Sequence, residues 1–426
     1  VYPPFHHCLG IHRATRFHLF LYLGMRTDFD EPAGIAAVKL AEKDDPSTES
    51  DDDELTVFGL NSGRCEIIYN TSLYNVEVYG SCGDGPGQFR RPLGIAADAA
   101  GNVYVADTGN DRVVNLVYRD EELRVVTAHG AHGTGESGFR RPSRIAIGAS
   151  GTLYVSDSGN SRIVVMAPDG VRLRTIRGDQ GAGFFLSDPA GLAVVEAEDA
   201  WISRDQEFLV VADQGGTRLS KLTLEGRLSS SVGADATGLA AARFDYLGID
   251  YSGNVYATDG RTSRIHKFDS DLRHVTSFGR PGTGDREFDE PRGITIWKRF
   301  GQIFVTERAG AQYFWVGTEI QGLSADPDTW VAGGRPIVLE YFLTETSRVT
   351  LEVLDEDGDV VGAVLDHRRR AIGRNTERWR GAVAGGGRPL PPGRYVLRLS
   401  ASPTYSSRKH FQDTAEVTVE IAPGTR

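Results

Sequence analysis

The chain has 426 residues, 40% apolar and 25% charged, a composition typical of globular proteins and a length that allows two domains. Its net charge of −11 is uneven: residues 1–330 carry −13 (33 Lys+Arg against 46 Asp+Glu), and residues 331–426 carry +2 (14 against 12). An acidic body repels phosphate backbones and so speaks against general nucleic-acid binding, and no run approaches the roughly twenty apolar residues of a membrane helix.

Residues 1–16 read as a disordered extension. The stretch "FHLFLYLGM" (17–25) follows Arg13 and Arg16 in the manner of a signal-peptide core, but no small-residue cleavage site comes after it. Cys8, Cys65 and Cys82 have no metal-binding spacing, and a Cys65–Cys82 bridge is one open pairing. From residue 29 onward one phrase recurs: Phe, a lead-in Pro, Gly-Ile, a Gly-Asn turn, then a strand ending in an acid. The lead-in positions are Pro32, Pro92, Pro142, Pro189, Tyr246 and Pro291, at spacings of 60, 50, 47, 57 and 45 residues. Each unit alternates strand and turn, with β-branched runs such as "NVYVAD" and tight turns such as "DAAGN" (98–102) and "DYSGN" (250–254). A four-stranded unit repeated six times predicts a β-propeller, whose radial closure leaves no long exposed sheet edge.

The phrases "FRRPLGIAADAAGNVYVADTGNDRVV" and "FRRPSRIAIGASGTLYVSDSGNSRIV" resemble NHL repeats. The resemblance implies a six-bladed propeller over residues 17–325. Because the sixth unit lacks a clear fourth strand, residues 17–25 are expected to supply it and close the ring.

Within four units an acid is followed five positions later by arginine: Asp107/Arg112, Asp157/Arg162, Asp213/Arg218 and Asp259/Arg264. The first unit keeps Arg64 without an acid and the sixth keeps Glu307 without an arginine. A catalytic pair is needed once, whereas a pair that pins a loop is needed in every blade, so these eight residues are expected to be scaffold.

Residues 326–334 read as a linker, and residues 335–426 change period. About seven short alternating strands predict an immunoglobulin-like β-sandwich. The order Gly358, Trp379, Gly381, Leu390 and Pro391–Tyr395 resembles the immunoglobulin-like module of flagellar hook-capping proteins, with Arg380 where that family has an acid. The fold class is therefore all-β, a six-bladed propeller followed by a sandwich, with Trp379 expected in the core of the latter.

Function is sought where the repeat breaks. Two residues after the lead-in slot every unit has Gly except the third, which has Arg144; one residue after it, Arg292 stands out. Before the slot stand Arg91 and Arg141, against Glu31, Asp188, Asp245 and Glu290. The four arginines are candidates for binding an anionic or sugar-like ligand at the channel mouth, and the alternative is that they pair with those acids. His129 and His132 are the only clustered histidines of the propeller, too few for a zinc site, and neither a metal nor another cofactor is expected. The insertions at 39–54 and 196–207 read as solvated loops, the second with a weak calcium alternative.

These readings converge on a non-enzymatic, extracytoplasmic binding or scaffold protein of bacterial type, monomeric, with a protein or glycan partner. A lyase or hydrolase acting at the channel mouth is the first alternative and an RNA-binding propeller the second.

Overall fold

The computed structural model describes residues 13–43, 55–72, 75–199, 202, 206–284, 286–299, 301–384, 389–404 and 411–423. Residues 1–12 and most of the first insertion lie outside that set. The chain divides into two compact units, one ending at Phe314 and the other beginning at Trp315.

The first unit has a β-propeller arrangement, with six four-stranded sheets among the described residues. Their innermost strands are Pro32–Lys39, Gly94–Ala97, Pro142–Ile147, Leu192–Val195, Leu247–Ile249 and Ile294–Trp297, each next to its successor, with the last against the first. Small and β-branched side chains line these strands because the inner positions crowd together; a Cβ on Gly94 would stand 2.7 Å from the Cα of Arg144. Outward from the channel, neighbouring sheets bury apolar cores against each other. Tyr104, Val113, Phe139, Val155 and Val164 form one such cluster between the second and third sheets, and Val195, Phe208, Phe244, Val255 and Phe268 form another between the fourth and fifth. Hydroxyls just past the acid slot stitch one sheet to the next: Thr108 donates to the carbonyl of Pro142 at 2.8 Å, and Ser158 to that of Pro189 at 2.5 Å.

The ring closes near the N-terminus, but not through residues 17–25. Arg13–Ala14 is the strand that pairs antiparallel with Gly310–Trp315 at the outer edge of the sixth sheet. The next stretch, Arg16–Leu23, is an α-helix. Its sequence does not alternate; Leu19 and Leu23, one turn apart, share a face that packs with Phe29 against Ile68, Val76 and Val78 of the first sheet. The helix opens on a capping box in which the Thr15 backbone N–H donates to His18 Nδ1 at 3.1 Å. Cys65 and Cys82 form a disulfide with Cα atoms 5.0 Å apart, tying a turn of the first sheet to the approach to the second.

The second unit has two sheets around one core. Ile320–Asp326, Ile337–Leu343 and Gly373–Trp379 form the first sheet. Thr329–Trp330, Asp413–Ile421, Gly393–Pro403, Ser347–Leu354 and Val360–Arg370 form the second. Strands 320–326 and 329–330 correct the expected boundary: residues placed at the end of the propeller and in a linker are paired into this unit, whose first strand precedes residue 335. Trp379 is 1% exposed, packs with Trp330, Leu339 and Val349, and donates Nε1–H to the carbonyl of Ala382 at 2.8 Å.

Candidate functional site

In several sheets the acid that ends the second strand accepts a backbone N–H from the lead-in loop. Asp107 takes that of Arg90 and Asp157 that of Arg140, both at 2.7 Å. Their arginines complete the clamp. Arg112 Nε lies 2.8 Å from Asp107 while its Nη2 donates to the carbonyl of Gln88; Arg162 Nε lies 2.7 Å from Asp157 while its Nη2 donates to that of Gly138. Arg218 Nε meets Asp213 at 2.8 Å and its Nη2 donates to the carbonyl of Phe185. Each pair fixes a loop to its own sheet through charge-assisted bonds.

The fourth predicted pair does not form this contact. Asp259 accepts instead from Thr262 Oγ1 at 2.6 Å and from His266 Nε2 at 3.2 Å, both partners lying within the same sheet. Strand side chains repeat every two residues, so His266 shares a face with Arg264 and takes the carboxylate. His266 in turn bonds Ser277 Oγ at 2.7 Å through Nδ1, and His274 Nε2 bonds the same oxygen at 2.8 Å. Hydrogen bonds from Thr262 and His266 outweigh burial and hold the Asp259 carboxyl below its usual range, while burial and the neighbouring His266 hold His274 low.

At the two ends of the repeat the sequence pattern showed that a partner was missing but not what takes its place. Glu307 lacks an arginine in its own unit, and Arg13 of the closing strand supplies it at 3.3 Å, donating also to the carbonyl of Glu287 at 2.9 Å. In the first sheet the register sets Asn61 opposite Glu66, as it sets Asp107 opposite Arg112, so Asn61 occupies the acid slot and Glu66 the arginine slot. Arg64, read as the surviving arginine, stands outside that slot and reaches Glu66 from the side at 3.4 Å.

All four arginines singled out at the channel mouth have acidic partners. Arg91 reaches Glu31 at 3.0 Å, Arg141 reaches Asp188 at 3.1 Å, and Arg292 lies 3.6 Å from Glu290. Arg144 bonds Asp245 and lays its guanidinium 3.6 Å from the ring centre of Tyr246. That tyrosine, in the slot where other units have proline, donates its hydroxyl to the carbonyl of Leu93 at 3.0 Å. Burial drives the Tyr246 hydroxyl far above its ordinary pKa, against the pull of Arg144. Glu31, Arg91, Arg141, Asp188 and Glu290 all take positive φ between 45° and 53°, so the loops that present these charges are held in sparsely populated backbone geometry.

Below the mouth the channel holds a cavity of about 170 Å³ walled by Gly34, Ala36, Ile95, Ile145, Ala193 and Ile294. Lys298, also on its wall, is paired with Asp199 of the fourth sheet's insertion. His132 pairs with Asp111 at 2.7 Å, and His129 is lowered in pKa by burial. Among the described residues no group of three or more His, Cys, Asp or Glu side chains is placed to hold a metal ion.

The sequence profile of the NHL repeat matches residues 89–114 and 139–166, which are the lead-in loops and inner strands of the second and third sheets. The chain thus carries NHL repeats on a β-propeller. No curated sequence matches it. Among solved structures it is similar to a gluconolactonase from Xanthomonas campestris (14% identity, 71% of this chain and 93% of that one, TM-score 0.47). It is also similar to virginiamycin B lyase from Staphylococcus aureus (15%, 62% and 78%, TM-score 0.43). A third is PorZ, a surface component of the type-IX secretion system of Porphyromonas gingivalis (10%, 91% and 51%, TM-score 0.47). None of them lends a residue role to this chain. No helix among the described residues is long and apolar enough to cross a membrane.

Proposed function

We propose that this protein is a non-enzymatic, extracytoplasmic binding or scaffold protein of bacterial type. Its six-bladed propeller offers a rigid face to a protein or glycan, and its immunoglobulin-like sandwich, similar to the hook-capping module, serves as spacer or attachment. The observation that carries this reading is the pairing at the mouth: Arg91, Arg141, Arg144 and Arg292 each face an acid. The mouth is therefore a fixed mosaic of both charges rather than a set of unspent groups converging on one reacting atom, and such a mosaic suits recognition of a polar surface. The Cys65–Cys82 disulfide supports an oxidising compartment.

The test is to incubate the full chain with neutral and uronate-containing oligosaccharides and with lactone and ester substrates, following binding by calorimetry and products by NMR. Saturable binding without turnover is the expected result, weakened at least tenfold when Arg91 and Arg141 are both replaced by Ala. Product formation that disappears with Arg144→Ala would establish an enzyme at the mouth and overturn the reading. The protein is expected to sediment as a monomer.

A further inference from the structure

The seam where the sixth sheet meets the first differs from the packed seams described above. It contains a cavity of about 280 Å³, roofed by the helix Arg16–Leu23 and walled by Leu19, Phe29, Val57, Ile68 and Val76. A single repeat-breaking residue contributes to the space. Two positions before the acid slot the other sheets have Val105, Val155, Val211, Ala257 and Val305, whereas the first has Gly59. Gly59 lines the cavity, has no left-handed φ, and a Cβ built on it would meet only the carbonyl oxygen of Ile68, at 3.8 Å. The backbone there does not require glycine. An unfilled apolar void lowers stability in proportion to its volume, and the repeat already has a side chain for this position.

The polar lining is almost wholly committed to the protein. Asn61 donates to the carbonyl of Asp28 at 2.9 Å, Asn70 to that of Leu55 at 3.0 Å, and Thr306 to that of Ala33. The exceptions are Tyr22, which is 37% exposed, and His18. Its Nδ1 accepts the Thr15 backbone N–H, which leaves the proton of the neutral ring on Nε2 as a donor at the cavity wall. Among the described residues no Lys, Arg, Asp or Glu lines the space.

We propose that this seam cavity is a binding site for a small uncharged ligand, an alkyl or aryl group ending in a carbonyl oxygen that accepts from His18 Nε2–H. Its volume is roughly twice that of a cavity known to take benzene, which sets the ligand at about a dozen heavy atoms. A carboxylate in the same place would find no cation among the described lining residues, which disfavours it. The site shares no residue with the mouth arginines, so its fate and that of the mouth are separable.

The probe is 2-decanone, added to the full chain and followed by saturation-transfer NMR and by melting temperature, with decanoate as control. The ketone is expected to bind and to raise the melting temperature, and decanoate to bind at least tenfold more weakly. Gly59→Val should abolish ketone binding while leaving the melting temperature of the free protein equal or higher, because the new side chain fills the void. Val76→Leu is the second filling variant should Gly59→Val fold poorly. His18→Phe should weaken the ketone at least tenfold. Absence of ketone binding, equal affinity in the filled variants, or decanoate binding as tightly as the ketone would each overturn the proposal.

Discussion

Asp157 and Arg162 show most fully what the recurrent acid and arginine do, because their side chains are 0% and 1% exposed and each also holds the lead-in loop. Removing one partner of such a buried pair leaves the other charge uncompensated, so Arg162→Ala is expected to cost about 3–5 kcal/mol in denaturant unfolding. Arg264→Ala, at a position whose acid is bonded to His266 instead, is expected to cost no more than about 0.5 kcal/mol. Equal losses at the two sites would refute the clamp. The spacing of acid and arginine made three pairs legible in the sequence; the fifth sheet was not legible because His266, two residues beyond Arg264, competes for the same face. Glu307 carries a pH consequence. Burial pushes its carboxyl up to about 7, against the pull of Arg13, the Asp289 N–H and Gln312. An acid with a raised folded pKa contributes stability that is complete below its unfolded value near 4.5 and is lost as pH rises through about 7. Melting temperature is therefore expected to carry a downward component over that window, and Glu307→Gln should flatten it. An unchanged pH profile in the variant would place the titration elsewhere.

The closing strand is the element on which the ring depends, and only two residues long, Arg13–Ala14. Backbone pairing over so short a length is weak, and Arg13 adds the side-chain bonds to Glu307 and to the Glu287 carbonyl that repeat the clamp of the other sheets. Arg13→Ala should therefore increase hydrogen exchange in Gly310–Trp315 while leaving the strand Arg162–Met166 protected; uniform loss in both would show global destabilisation instead. That the ring would be closed from the N-terminus was legible in the missing fourth strand of the last unit. The identity of the closing segment was not, because an apolar run without alternation fits a buried strand as well as a helix, and only the packing of Leu19 and Leu23 separates them. In the first sheet, the disulfide closes a loop with a sequence separation of 17. Loop-closure entropy for that length is about 3 kcal/mol, the loss expected in the Cys65→Ser, Cys82→Ser double variant by denaturant titration. No change in midpoint would mean the bridge does not constrain the unfolded chain.

At the scale of the whole molecule the six lead-in positions match the six four-stranded sheets found among the described residues, since each unit must be written out in full to pack against its neighbours. The limit between the two units was less legible. Turn-forming residues at 326–334 look like a linker in sequence, yet Trp330 is 4% exposed and belongs to the same core as Trp379. Composition marks loops, but it does not distinguish a loop between domains from one within a domain. The second unit has its own core, with Ile337, Leu339, Val349, Leu351, Leu397 and Val419 all at 2% exposure or less. A segment with a closed core and its own charge balance should fold by itself. Residues 315–426 expressed alone are therefore expected to melt in one cooperative transition, with blue-shifted emission from Trp330 and Trp379 that moves to the red on unfolding. The same segment cut at residue 335 lacks the strand Ile320–Asp326 that pairs with Ile337–Leu343, and lacks Trp330 from the core. It should lose cooperativity or melt at least 10 °C lower, at the few degrees per kcal/mol typical of a domain this size. Equal stability of the long and short fragments would return the boundary to where the sequence pattern put it and would make the strand at 320–326 an appendage rather than part of the fold.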